Sequence, residues 1–181
     1  MNSKFQSIVL IHPGLGNSGP DHWQTKWGKI YPEFKRVQQV NWDTPVCDEW
    51  IKTLDEEVMK YSIDKVIIVG HSLACTTISY WAAKYKRNIK GALLVGPSDT
   101  EADSYPPGTT GFKPVPLLRL PFPSIAVMST NDPYVSVNRA QLFAEKWGSE
   151  LVNIGDAGHI NVASGHGEWE DGLKYLKNLD Q

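Results

Sequence analysis

The chain is short of the features that mark secreted, membrane-bound and metal-binding proteins. Only two of its 181 residues are cysteines, Cys47 and Cys75, and no CxxC pair occurs. We therefore expect reduced thiols, without a disulfide framework and without a metal site. The apolar runs are too short for a signal peptide or a membrane span, which predicts a cytoplasmic protein with no lipid anchor and no membrane contact.

An excess of charge of one sign is lacking as well. The chain has 18 Lys and Arg against 20 Asp and Glu, so its net charge is −2, and the basic residues are scattered. We expect no nucleic-acid partner, because no basic stripe is present to bind the phosphates. Internal repeats and linkers are also lacking, and the length suits one domain, which we place at residues 1–181.

What the chain does contain is a series of short apolar runs that alternate with helical patterns. The helix expected at 48–61, for example, has a buried stripe that includes Trp50, Leu54 and Val58. The predicted strands are 7–11, 34–42, 66–69, 91–95, 124–129 and 151–154, of which the second, centred on 37–40, is the weakest. This alternation predicts an α/β fold of about six mostly parallel strands with helices on both faces.

The strand at 66–69 leads directly into Gly70-His71-Ser72-Leu73-Ala74. Its four apolar residues suit a strand that is covered on both faces. A sharp turn from this strand into a helix at 73–85 would bring positions 70 and 74 into contact, and both residues there are small. Because such a turn lifts the Ser72 side chain above the sheet edge, we predict that Ser72 is a nucleophile.

A serine nucleophile needs a base and an acid that orients the base, and in α/β sheets such groups follow the carboxyl ends of strands. Asp132 comes directly after the fifth predicted strand and His159 directly after the sixth. The chain order Ser, Asp, His is that of α/β-hydrolases. We therefore predict a catalytic triad of Ser72, Asp132 and His159. The alternative acids are Asp99, Asp103 and Asp156.

Four other histidines compete with His159 for the role of base. His71 precedes the serine on a strand, so its side chain should point to the opposite side. His12 ends the first strand and is expected to shape the next loop, and His22 lies beyond that loop. His166 is the serious rival because it also follows the sixth strand, although it comes late, at the start of the last helix.

The glycine-rich stretch after the first strand is expected to complete an oxyanion hole. Such a hole needs two backbone N–H donors, and Leu73, the residue after the nucleophile, supplies one. Gly14 and Gly16 let the loop backbone approach closely, so the second donor is Leu15 or Gly16, with Leu15 preferred. Nucleotide binding is disfavoured, because no Lys-Ser/Thr follows these glycines as it does in a P-loop.

Residues 98–121 are rich in proline and glycine and have no sustained period. We predict an irregular excursion across the top of the sheet, which would be the only roof over the site. The main substrate-pocket candidates are Gly14, Gly16, Phe112 and Tyr134, and further candidates are Tyr105, Leu117 and Leu118. A site covered only in this way should be shallow and should favour small acyl groups.

Over essentially its whole length the chain resembles the small α/β-hydrolases related to retinoblastoma-binding protein 9, the YdeN-like serine hydrolases. The matching stretches are HPGLG at 12–16, DHWQTKW at 21–27, GHS at 70–72, NDP at 131–133 and GH at 158–159. The resemblance implies a compact α/β-hydrolase fold without a cap domain, and the same triad. Ala74 stands where many hydrolases have glycine, which is sterically tolerable. The Leu-x-Cys-x-Glu motif of the family's namesake is not present, so its protein-binding role is not carried over.

Together these patterns predict a serine hydrolase of the carboxylesterase type. It would cleave a small ester, thioester or amide through an acyl-enzyme on Ser72, with a small acyl compound as its partner and with no metal or cofactor. Acyl transfer on the same triad is one alternative. The other is a non-catalytic interaction scaffold that retains the hydrolase fold, since a fold alone does not determine function.

Overall fold

The computed structural model describes residues 5–181, so the first four residues of the predicted domain lie outside the described range. One sheet of six strands forms the centre. The strands are β1 (Ile8–His12), β2 (Phe34–Arg36), β3 (Val66–His71), β4 (Gly91–Val95), β5 (Ser124–Met128) and β6 (Glu150–Asn153). They are all parallel and lie in the order β2-β1-β3-β4-β5-β6, which confirms the predicted α/β class.

Five α-helices cover both faces of this sheet. They are α1 (Trp23–Ile30), α2 (Cys47–Val58), α3 (Leu73–Tyr85), α4 (Val137–Trp147) and α5 (Glu170–Leu179). The apolar residues of α2, α3 and α4 pack on one face, and those of α1 and α5 pack on the other. The predicted inward residues of α2, such as Trp50 and Leu54, are almost fully buried. Two apolar layers therefore hold the strands in place.

The second strand is where the expected boundaries are wrong. We expected its centre at 37–40, but β2 ends at Arg36. Val40 is 89% exposed, because the chain has already left the sheet at this edge. The Gln39 amide turns inward instead and donates to the Trp50 carbonyl oxygen at 3.0 Å. Val37 is still buried and its N–H donates to the Ile11 carbonyl oxygen at 2.8 Å, so the contact with β1 ends between Val37 and Val40.

The excursion at 98–121 is irregular, as expected, and is anchored from within. Phe112, Val115 and Leu120 are buried against the α2, α3 and α4 layer. The indole Nε1–H of Trp147 donates to the Pro116 carbonyl oxygen at 2.8 Å. The excursion therefore roofs part of the sheet edge without forming a cap domain. Among residues 5–181, no helix is both long and apolar enough to cross a membrane.

Candidate active site

Ser72 lies on a sharp turn between β3 and α3. Its backbone has φ 60° and ψ −125°, a conformation that costs a residue with a side chain about 1–3 kcal/mol. The turn is closely packed, because a Cβ on Gly70 would lie 3.3 Å from the Ala74 carbonyl carbon and 2.6 Å from the Ile78 Cδ1. The predicted contact between positions 70 and 74 is therefore present. Strain of this kind at a single serine is typical of a nucleophile elbow.

The loop after β1 lies directly against this turn at Gly14. A Cβ on Gly14 would lie 2.7 Å from the His71 carbonyl oxygen, 2.9 Å from the Ser72 Cβ and 3.2 Å from the Leu73 nitrogen. Contacts this short leave no room for a side chain. Because residue 14 has no side chain, the backbone of the loop after β1 can lie against the backbone of the Ser72 turn.

Of the two candidate donors in this loop, Gly16 is already engaged. Its N–H donates to the Trp42 carbonyl oxygen at 2.8 Å. The N–H groups of Leu15 and Leu73 have no acceptor in the part of the chain that the structure describes. Leu15 follows Gly14, which touches the Leu73 backbone, so two uncommitted donors lie near the Ser72 side chain. This arrangement favours Leu15 over Gly16 as an anion-binding donor.

Gly14→Ala should lower kcat/KM for ester hydrolysis by about 100-fold, because the added methyl group would push the Leu15 N–H away from the Leu73 N–H. Gly19→Ala is the matched control in the same loop. A Cβ on Gly19 would meet no atom within 4 Å, so this variant should retain its activity. Equal activity of the two variants would contradict the assignment of the loop.

Asp132 and His159 form a buried pair at the ends of β5 and β6. The His159 Nδ1 lies 2.8 Å from the Asp132 Oδ2 and 3.0 Å from its Oδ1. The Asp132 carboxylate also accepts the Tyr134 N–H at 2.9 Å. The Asp132 side chain has no exposed surface, and the His159 side chain is 8% exposed. An imidazole held through Nδ1 in this way keeps Nε2 free to accept a proton.

Ser72 and His159 line the same cleft, which has a volume of about 190 Å³. Ser72 is hydrogen-bonded elsewhere, however, because its Oγ lies 2.8 Å from the Oγ of Ser98. No hydrogen bond between Ser72 and His159 is present among the described residues. Ser98, which follows β4, is fully buried. Sequence reasoning missed Ser98, although its position just after a strand end was a usable signal.

The alternative acids and the rival base lie outside the cleft that Ser72 lines. Asp99 accepts two hydrogen bonds from Arg139, at 2.8 and 3.0 Å. Asp156 accepts the Thr130 hydroxyl, and Asp103 is exposed on the excursion. His166 contacts the Ser164 hydroxyl at 3.2 Å through its Nδ1. None of these four groups lines the cleft.

His71 comes closer to His159 than its position before Ser72 indicated. It lines the cleft, and its ring lies 4.8 Å from the His159 ring and 4.9 Å from the His22 ring. Its Nε2 also lies 2.8 Å from the His159 carbonyl oxygen. His71 does point to the face opposite α3, but the segment from β6 to α5 passes over that face and carries His159 there. His71 therefore lies beside His159 although its side chain points away from α3, as expected.

Four of the pocket candidates lie outside the cleft, namely Gly16, Phe112 and the exposed Leu117 and Leu118. Phe112 is 1% exposed and packs against Trp50 at a ring distance of 5.8 Å, so it belongs to the core. Gly16 does not line the cleft either, since its N–H is turned to Trp42. Gly14 and Tyr134 do line it. The remaining lining residues include Leu15, Asn17, Tyr105, Pro106 and Asn161.

Burial keeps three histidines near the site neutral. It lowers the pKa of His12 and that of His22 to about 4, and it holds the pKa of His71 well below its ordinary value. The His12 Nδ1 lies 2.8 Å from the Pro13 carbonyl oxygen, in keeping with its expected role in the loop. Neutral neighbours add no positive charge that would oppose a cation on His159.

These buried histidines should make the fold sensitive to acid. Unfolded histidines titrate near pH 6.5, whereas His12 and His22 resist protonation down to about pH 4. Between these values the unfolded state binds more protons. The free energy of unfolding should therefore decrease by about 1.4 kcal/mol for each histidine when the pH is lowered by one unit. Urea unfolding at pH 7.5, 6.0 and 5.0 measures this slope. His12→Gln should reduce this slope by about 1.4 kcal/mol per pH unit. An unchanged slope would contradict the explanation.

The two cysteines do not offer a second nucleophile here. Cys47 and Cys75 are free and buried, and burial raises the pKa of both thiols, that of Cys47 to about 12. Thiols with such raised pKa values are poor nucleophiles near neutral pH. Among residues 5–181, no group of three or more His, Cys, Asp or Glu side chains is placed to hold a metal ion.

Comparison with known proteins decides the family. The sequence profile of a family described as serine hydrolases matches residues 9–178. The chain belongs to this serine hydrolase family. A YdeN-like hydrolase from Pectobacterium atrosepticum is 32% identical, with a TM-score of 0.84, and the alignment covers 97% of this chain and 91% of that one. The predicted membership of the YdeN-like serine hydrolases is thereby confirmed.

More distant structures share the fold of this serine hydrolase. The ydeN gene product of B. subtilis is 17% identical, with a TM-score of 0.72 over 96% of this chain and 98% of that one. Esterase 2 of Thermogutta terrifontis is 15% identical, with a TM-score of 0.68 over 96% of this chain and 82% of that one. A comparison with curated protein sequences gives no significant match. The compact α/β-hydrolase fold without a cap domain is confirmed.

Proposed function

We propose that this serine hydrolase cleaves small carboxylic esters, thioesters or amides through an acyl-enzyme on Ser72. The observation that carries the proposal is the common cleft, which is lined by Ser72 on its strained turn and by His159, the partner of the buried Asp132. Three such groups on separate loops serve no evident packing purpose. Their convergence in a member of this family supports catalysis over a pure interaction scaffold.

The reaction begins with a change of partner for the Ser72 hydroxyl. In the resting structure this hydroxyl bonds to Ser98, so it must turn toward the Nε2 of His159 when substrate binds. His159 then takes the proton while the Ser72 Oγ bonds to the substrate carbonyl carbon. Asp132 holds the imidazole in the required tautomer and stabilises its cation. Ser98 keeps the hydroxyl in place until that moment.

The developing oxyanion would be held by the N–H groups of Leu15 and Leu73, both uncommitted in the described structure. His159 returns its proton to the leaving oxygen, sulfur or nitrogen, and the bond from that atom to the carbonyl carbon breaks. Water then attacks the acyl-enzyme and gives up a proton to His159, which passes it to the Ser72 Oγ. The free acid leaves and the enzyme is restored.

The size of the cleft favours short acyl groups. Its volume is about 190 Å³, and Tyr105 and Pro106 of the excursion close part of it. Acyl chains beyond a few carbons would extend into solvent and would gain little further burial. Small acyl compounds are therefore the proposed substrates.

A series of 4-nitrophenyl esters from acetate to decanoate tests this proposal. We expect a burst of about one equivalent of 4-nitrophenolate followed by slower turnover, and a kcat/KM that declines beyond about six carbons. Analysis of the products with added alcohol or amine separates hydrolysis from acyl transfer. Lack of turnover across the series would favour the interaction scaffold instead.

The remaining expectations about the chain are proposals as well. We infer that residues 1–181 form one domain and that the protein works in the cytoplasm. The two free, buried thiols are compatible with a reducing compartment.

A further inference from the structure

Three polar side chains that line the wall of the cleft, those of Asn17, Asn161 and His22, each have a donor without a partner in the described part of the chain. Asn17, in the loop after β1, is the first of them. Its Oδ1 already accepts two hydrogen bonds, from the Ser18 N–H at 2.8 Å and from the Arg36 guanidinium at 2.5 Å. Its amide NH2 has no partner in the described part of the chain. The group of Asn17 that is free to bind a ligand is therefore a donor.

Asn161 repeats this arrangement on the opposite side, just after His159. Its Oδ1 accepts the Ser164 N–H at 3.2 Å within a capping box. No acceptor for its amide NH2 is present among residues 5–181. Both asparagines that line the cleft thus use their oxygen within the protein and keep their nitrogen unused.

His22 is the third member of this set. Its Nδ1 accepts the Gln24 N–H at 3.2 Å, which caps α1 and leaves the ring proton on Nε2. The Nε2 is buried without a hydrogen-bond partner, and the residue as a whole is 7% exposed. Leaving a buried donor unpaired costs about 1–3 kcal/mol, so such a group is expected to have a partner in the working state.

Charged side chains do not contribute to this wall. The cleft is lined by no Lys, Arg, Asp or Glu among the described residues. A charged carboxylate would therefore lose its hydration without gaining an ion pair, whereas a neutral oxygen would gain hydrogen bonds at a lower desolvation cost. The wall is suited to a neutral acceptor.

We propose that the substrate carries a second neutral oxygen acceptor, such as a keto or ether oxygen, close to the carbonyl group that is cleaved. Asn17, Asn161 and His22 would supply its donors. This inference rests on the proposed hydrolase function and narrows its substrate class to oxygenated small esters and thioesters. The acceptor could lie on the acyl side or on the alcohol side, and the two sides are tested separately.

Two matched pairs of esters test the inference. For the acyl side we compare 4-nitrophenyl 4-oxopentanoate with 4-nitrophenyl pentanoate. For the alcohol side we compare 2-methoxyethyl pentanoate with butyl pentanoate by titration of the released acid. Each kcat/KM is divided by the rate constant for hydroxide hydrolysis, which removes intrinsic reactivity. We expect at least a tenfold preference for the oxygenated ester in one of the pairs.

Three variants assign that preference to the wall. Asn17→Asp and Asn161→Asp keep the Oδ1 that the protein uses and replace the NH2 with an acceptor. His22→Asn keeps a cap for the Gln24 N–H but removes the Nε2–H. Each should reduce the preference at least threefold. Asn153→Asp is the control, because Asn153 is exposed outside the cleft and its Oδ1 accepts the Gly155 N–H at 2.9 Å.

The outcomes separate this inference from the proposed function. Equal normalised rates within both pairs, or a preference that survives all three variants, would overturn the inference while leaving the hydrolase assignment intact. No turnover of any of the four esters would contradict both. A loss of preference in Asn153→Asp as large as in the cleft variants would show that the effect is not local, and would also overturn the inference.

Discussion

Replacement of His159 by alanine should lower kcat for ester hydrolysis by about 10⁴- to 10⁶-fold, with little change in KM. Among the described residues that line the cleft, His159 is the one imidazole that pairs with a buried carboxylate, so its loss leaves the Ser72 proton without an acceptor. Initial-rate assays with a short 4-nitrophenyl ester measure the effect. The variant leaves the Asp132 carboxylate buried without its partner, so its folding must be checked by circular dichroism.

The matched control is His166→Ala, the rival histidine after β6. His166 contacts the Ser164 hydroxyl and lies outside the cleft, so its replacement should change kcat by less than about threefold. If His166→Ala were the inactive variant and His159→Ala were active, the assignment of the base would be reversed.

Asp132→Asn should lower kcat by about 10⁴-fold without disturbing the fold. The amide fills the same volume, but it cannot stabilise an imidazolium, and an NH2 facing Nδ1 would select the wrong tautomer of His159. The expected loss is in kcat, since the Asp132 side chain is fully buried and cannot touch substrate. Steady-state kinetics with the same ester separates kcat from KM.

Asp156→Asn provides the comparison for this acid. Asp156 is exposed and accepts the Thr130 hydroxyl, so the variant should keep nearly full activity. A small effect of Asp132→Asn together with a large effect of Asp156→Asn would move the acid to the other loop and would refute the account of the pair.

The placement of Ser72, Asp132 and His159 could be predicted because it depends mainly on chain order. All six strands are parallel, so the loops that follow β3, β5 and β6 must meet at one edge of the sheet. The contact of Gly14 with the Ser72 turn could be predicted for a similar reason. The loop after β1 emerges beside β3, and only glycine permits that approach.

The remaining parts of the site depend on paths that no local pattern specifies. Phe112 lies in the excursion, which has no period, and its burial against Trp50 follows from the packing of distant segments. The place of Ser98 after β4 could be predicted, but its hydrogen bond with Ser72 depends on how the chain turns after that strand. His71 meets His159 because the segment after β6 crosses to the α1 and α5 face. Each of these contacts joins residues far apart in the chain, and none is encoded by sequence spacing.

The most direct test of the central claim, that Ser72 is the nucleophile, is labelling with a fluorophosphonate probe followed by mass spectrometry of the digested protein. The account predicts one label per folded chain, located on Ser72, and no label on Ser72→Ala or on the unfolded protein. Equal labelling of Ser72→Ala, or a label on Ser98, would contradict it.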